Sequence, residues 1–126
     1  MSLKTSALLL LALLLGGCST LGWKVGDMAK VRFDVNALDK EGLRGSGNNV
    51  KAVSYEFCIP DKIEYVDQVM AIDPTLVVYR ASPGKTQCRP GEYLAVGDTH
   101  QLDYYEVLRK LAELDYVESI QEATFE

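Results

Sequence analysis

The sequence predicts an α+β fold, with two helices covering one face of an antiparallel sheet. Three observations carry this reading. Residues 30–36, 50–59, 75–81, 92–96 and 116–125 are β-branched or aromatic, several with period-two alternation, and read as strands. Residues 61–72 and 100–114 repeat apolar side chains at helical spacing. From residue 50 onward the order is therefore strand, helix, strand, strand, helix, strand.

Each element has its own justification. In residues 30–36, Val31, Phe33 and Val35 share one side, while Lys30, Arg32, Asp34 and Asn36 share the other. Residues 37–49 hold Gly42, Gly45 and Gly47 and read as a loop. No Gly-Lys-Ser/Thr ending follows, so this is not a phosphate-binding loop. In the next strand Val53, Tyr55, Phe57 and Ile59 point one way, and Ser54, Glu56 and Cys58 the other. Pro60 ends it, because proline cannot donate to a ladder. Asp61 is placed to cap the first helix, whose apolar stripe is Ile63, Val66, Val69 and Met70. Pro74 bars its continuation. The turn dipeptides Pro83-Gly84 and Pro90-Gly91 separate the two central strands. Asp98 and Gln101 have capping-box spacing before the second helix. Its stripe is Tyr104, Tyr105, Leu108, Leu111 and Ala112.

This order is the split βαβ pattern of ferredoxin-like sandwiches, βαββαβ, with the strand at 30–36 as an extra N-terminal element. In such a sheet the end of the first strand meets the beginning of the third. Cys58 lies at the former and Cys88 just before the latter, so a disulfide between them is expected. It would close a loop of about 30 residues and stabilise the domain by roughly 3–4 kcal/mol. An oxidising compartment favours the bridge. A metal site is disfavoured, because the chain has one histidine and no Cys-x-x-Cys pair.

The compartment is read from the N-terminus. Lys4, the apolar run from Ala7 to Leu15 and the sequence Leu15-Gly16-Gly17-Cys18 resemble a bacterial lipoprotein signal peptide with its lipobox. The run is much shorter than the roughly 20 residues that span a membrane. The resemblance implies cleavage before Cys18 and lipidation, palmitate included, at that residue. Ser19 rather than Asp after the cysteine resembles the outer-membrane sorting pattern; of the two faces the periplasmic one is preferred to the cell surface, and the sequence does not decide between them. Residues 1–17 are then signal, 18–28 a lipid-anchored tether, and 29–126 one α+β domain.

Of 13 Lys and Arg and 18 Asp and Glu, removal of the signal takes only Lys4, so the remainder stays acidic. An acidic chain without a basic cluster argues against nucleic acid as a partner. It also argues against electrostatic docking on anionic lipid, leaving the acyl group as the membrane contact.

No catalytic constellation, cofactor motif or metal motif is read from the sequence. His100, the lone histidine, lies beside Asp98 and Thr99 and is a candidate base or ligand-binding group. No Gly-x-Ser-x-Gly nucleophile accompanies it. Glu118, Glu122 and Glu126 recur every fourth residue and would share one strand face, as solvated charges or as contacts for a basic partner. Tyr104 and Tyr105 cannot both point inward, so one is a candidate surface contact.

Two further resemblances involve short stretches. Tyr55-Glu56-Phe57-Cys58-Ile59-Pro60 together with Gly97-Asp98-Thr99-His100-Gln101 resembles a family of small bacterial proteins of unknown function. The stretch Leu111 to Glu118 resembles the end of subtilisin-propeptide-type inhibitors, which implies protease inhibition by the segment after Glu118. The leading expectation is a non-enzymatic, outer-membrane-anchored lipoprotein whose domain binds a protein or envelope component. The alternatives are a protease inhibitor and a His100-dependent hydrolase or ligand sensor.

Overall fold

The computed structural model describes residues 24–124, with side chains described from Asp27 onward. The signal, Cys18, most of the tether, Phe125 and Glu126 lie outside the described residues. The chain is a mixed α+β structure with two α-helices and two antiparallel sheets.

The small sheet pairs β1 (Leu43–Arg44) with β2 (Lys51–Ala52). The large sheet contains β3 (Ser54–Pro60), β4 (Val77–Tyr79), β5 (Glu92–Asp98) and β6 (Gln121–Glu122), in the order β4-β5-β3-β6. All three of its pairings are antiparallel. Helix α1 (Ile63–Ile72) joins β3 to β4, and α2 (Tyr104–Glu113) joins β5 to β6.

The alternation in β3 decides the core. Tyr55, Phe57 and Ile59 are fully buried on the helix-covered face, with Ala95 from β5, Val69 from α1, and Leu108, Leu111 and Ala112 from α2. Leu76, Val117 and Ile120 close the cluster. Gly97 is buried because the Tyr55 ring lies against it: a Cβ there would stand 2.6 Å from the ring. Helix α1 ends at Ile72, and Asp73 takes an extended conformation before Pro74.

Several expectations are corrected. Residues 30–36 do not form a strand: 3-10 turns occupy Lys24–Lys30 and Val35–Ala37, and a single parallel bridge joins Val31 to Ile120. The alternation nevertheless reports burial. Val31, Phe33 and Val35 lean on the core, and Phe33 stacks on Tyr55 with ring centroids 6.3 Å apart. In α1 the stripe is Val66, Val69 and Ile72, while Ile63 and Met70 are 61% and 45% exposed. Lys62, not Asp61, occupies the N-cap position and makes no side-chain cap.

Helix α2 begins at Tyr104 rather than at 100, after Asp103 adopts a left-handed conformation. Asp98 and Gln101 form no capping box, because Asp98 accepts from the His100 amide and the Gln101 side chain turns inward. Residues 116–125 shorten to the two paired residues of β6, preceded by Val117 and Ile120 buried three apart. The expected loop at 37–49 contains β1.

Candidate functional site

The residues expected at a site are brought together in part. Thr99, His100 and Tyr104 converge on the loop at 38–44, while the Asp98 carboxylate accepts from the His100 amide at 2.7 Å and does not reach that loop. Thr99 is fully buried; its hydroxyl donates to the Gly42 carbonyl at 2.6 Å and accepts from the Val53 amide at 2.9 Å. The His100 ring Nδ1 lies 3.0 Å from the Glu41 carbonyl. The Tyr104 hydroxyl donates to the Asp39 carbonyl at 2.9 Å. Each group straps the loop to the end of the large sheet. The Thr99 hydroxyl beside His100 is thus committed to backbone partners, as is the Thr86 hydroxyl to Glu56 at 2.8 Å.

Behind this strap lies a buried polar network that sequence reading missed. The Asp73 carboxylate is fully buried between α1 and β4. It accepts from the Tyr55 hydroxyl, from the Thr75 amide at 2.9 Å and hydroxyl at 2.6 Å, and from Gln101 Nε2 at 3.1 Å. The Thr75 hydroxyl in turn accepts from the Asp98 amide at 3.0 Å. Burial, and then the charge of Asp73, raise the Tyr55 phenol well above its ordinary range. Among the described residues every buried side-chain polar atom has a partner. The network therefore orders the core rather than waiting for a ligand.

Glu118 and Glu122 do not share a strand face. Glu118 precedes β6 and meets Arg89 at 3.4 Å, with both side chains exposed. Glu122 lies in β6 and forms a bidentate pair with Arg44, at 2.6 and 3.2 Å. The Arg44 hydrogen bonds hold the Glu122 carboxyl below the usual carboxylate range. The segment that a propeptide-type inhibitor would insert into a protease is held in the sheet here, with the Ala123 amide donating to the Ser54 carbonyl at 2.8 Å.

The second face of the large sheet carries an open groove. No helix covers it. The loop at 80–91 folds back across it instead, and the Cys58–Cys88 disulfide fastens that loop with Cα atoms 5.5 Å apart. Thr86 donates its amide and hydroxyl to Glu56 Oε2, at 3.0 and 2.8 Å, so a strand carboxylate is only 4% exposed. Gly84 adopts φ +65, and a Cβ there would stand 2.3 Å from Glu56 Oε2 and 2.6 Å from Leu94. Only glycine fits that approach. Beyond the loop the face opens into a groove of about 470 Å³, with Tyr79, Leu94 and Val96 as its apolar wall. Glu56 and Lys85 supply its charges.

The turn dipeptides marked the loop in the sequence. In β5 alone the alternate positions Leu94 and Val96 are apolar, but Ser54 and Glu56 occupy the corresponding face of β3, so the pattern does not announce a second buried face. Among the described residues no cluster of His, Cys, Asp and Glu is arranged to hold a metal ion, and no helix is long and apolar enough to cross a membrane. Comparisons with protein families, curated proteins and solved structures return no match.

Proposed function

We propose that this chain is an outer-membrane-anchored lipoprotein whose small domain binds a protein or another envelope component. The observation that carries the reading is the lipobox pattern ending at Cys18, after the short apolar run from Ala7. The binding role draws support from the sheet face that no helix among the described residues covers, where Tyr79, Leu94 and Val96 line a groove of about 470 Å³. The strand order β4-β5-β3-β6, wholly antiparallel, supports a ferredoxin-like assignment. That architecture serves many functions, so the site and not the fold carries the reading.

The test is metabolic labelling of the full chain with a clickable palmitate analogue in a bacterial host, followed by membrane fractionation. Label in the outer-membrane fraction that Cys18→Ala abolishes is the expected result. Equal label in the variant, or an unlabelled soluble chain, would overturn the anchor. Crosslinking of the intact chain in cells, competed by excess unlabelled chain, then tests the binding role.

A further inference from the structure

We infer that the groove on the loop-crossed face of the large sheet binds a small zwitterion, an α-amino acid with an apolar side chain. The inference rests on the binding role proposed above and gives it a ligand; it does not depend on the anchor.

The groove runs across the sheet face. Its lining passes from Tyr79 on β4, through Leu94 and Val96 on β5, to Glu56 on β3 and Thr124 beyond β6. The register sets Tyr79 opposite Leu94 and Val96 opposite Glu56, so these side chains share one face. Neighbouring strands stand about 4.8 Å apart. One flank of the groove is therefore apolar, and within two strand spacings the other carries Glu56 and Lys85. A volume of about 470 Å³ suits a small ligand, since such clefts hold roughly 300–1,000 Å³.

Glu56 supplies the first recognition group. The residue is 4% exposed, yet its hydrogen bonds satisfy one carboxylate oxygen: Oε2 accepts from the Thr86 amide and hydroxyl. Oε1 accepts from no group among the described residues, and no wholly buried side-chain oxygen there lacks a partner, so Oε1 opens on the groove. A cationic N–H donor completes a half-satisfied carboxylate beside an apolar wall.

Lys85 supplies the second. It lies between Gly84 and Thr86, the two positions at which the loop meets the Glu56 carboxylate. Its ammonium donates to the neutral Thr124 hydroxyl at 3.2 Å and enters none of the ion pairs of the described residues. The neighbouring Glu122 carboxylate is taken by Arg44. Glu56 and Lys85 thus face one groove with opposite charge and do not pair with each other. An α-ammonium on Glu56 Oε1 and an α-carboxylate on Lys85 satisfy both, and the ligand's side chain then lies toward Val96, Leu94 and Tyr79. A carboxylic acid without the ammonium would bring no donor to Glu56, and an amine without the carboxylate would leave Lys85 unused.

The experiment titrates the full chain in detergent micelles with L-leucine by calorimetry, with empty micelles as the blank. Leucinamide lacks the carboxylate, N-acetylleucine lacks the ammonium, and glycine lacks the apolar side chain. Leucine is expected to saturate the chain, and each analogue to bind about tenfold more weakly, which corresponds to about 1.4 kcal/mol. Leucine should slow amide exchange in the loop at 84–86. Lys85→Gln, at an exposed position, should erase the preference for leucine over leucinamide and keep the preference over N-acetylleucine. Glu56→Gln should do the reverse; if that variant does not fold, the Lys85→Gln titration decides alone. Absence of saturation with both leucine and phenylalanine would overturn the proposal, as would equal affinity of the unmodified chain for leucine and leucinamide. So would leucine binding that appears only after removal of Phe125 and Glu126, which would assign the groove to the chain's own end. Self-association that protects residues 94–96 and that leucine does not relieve would likewise overturn it and assign the groove to a second copy. A crosslinked protein partner retained by a chain that binds no leucine would sink this proposal while leaving the binding role intact.

Discussion

The two faces of the large sheet reach burial by different means. One is covered by α1 and α2 and filled by Tyr55, Phe57, Ile59, Leu108 and Leu111. The other is crossed by a loop without regular structure, held by a disulfide and by two hydrogen bonds to a buried carboxylate. The helix face gains its stability from apolar area, at about 25 cal/mol per Å². The loop face has too few apolar side chains for that and relies on covalent and polar fastening. The difference predicts that damage on the helix face is global and damage on the loop face local.

The largest effect should come from the helix face. Phe57→Ala removes a fully buried ring and should cost about 3–5 kcal/mol in chemical denaturation, with all probes unfolding together. Next comes the staple. Replacing Cys58 and Cys88 with serine should cost about 3 kcal/mol. Amide exchange should accelerate first in the loop at 80–91 while α1 and α2 keep their protection. Uniform acceleration across both faces would erase the distinction.

A glycine pair sharpens the contrast further. Gly84→Ala meets both a left-handed backbone and the Glu56 carboxylate, and should cost about 1–3 kcal/mol. Gly91→Ala shares the left-handed backbone but meets open space, and should cost about 1 kcal/mol. Similar losses in the two variants would show that Gly84 is not the point where the loop meets the sheet.

A smaller effect lies in the buried network. The Tyr55 phenol holds its proton more tightly in the folded chain than in the unfolded one. Its contribution is therefore fully present below about pH 10, the unfolded value, and is lost as pH rises above it. Tyr55→Phe should cost about 1 kcal/mol at neutral pH and flatten the alkaline limb of the stability profile. An unaltered limb would exclude Tyr55 as its source. The smallest effect belongs to Arg44 and Glu122. The Glu122 carboxyl is depressed in the folded state, so its contribution is present above about pH 4.3 and is lost as pH falls through its lower folded value. Both side chains are more than a third exposed, so solvent screening limits the pair to about 0.2–1 kcal/mol. Acid titration of Arg44→Ala against the unmodified chain measures it.

Much of the helix face was legible in the sequence, because period-two alternation in β3 has one physical outcome once a face is buried. Tyr55, Phe57 and Ile59 are all inside. The meeting of Cys58 and Cys88 was legible for the same reason, since an antiparallel β3–β5 pairing leaves them no other neighbourhood. Residues 30–36 mark the limit of that logic. Alternation there reports which side chains lean on the core, but hydrogen bonding follows 3-10 turns, because pairing depends on a partner strand that β6 is too short to supply.

Long-range polar contacts were not legible. Gln101 resembles a capping residue locally, and only the fold brings Asp73 and Tyr55 within its reach. The groove was hidden likewise, since Glu56 breaks the apolar pattern that would have announced a second buried face.

The position of the N-terminal segment has an orientational consequence. Lys30 donates to the Leu114 carbonyl at the end of α2, and Val31 bridges to Ile120 beside β6. The chain therefore enters the domain at the β6 side, whereas β4 is the opposite edge, three strand spacings of roughly 4.8 Å away. In the anchored protein we propose, Cys18 precedes Lys24 by a stretch that reaches roughly 20 Å at full extension. Such a short leash makes the β6 side the membrane-proximal flank and turns the edge at Val77–Tyr79 outward, like the open end of a bracket fixed to a wall.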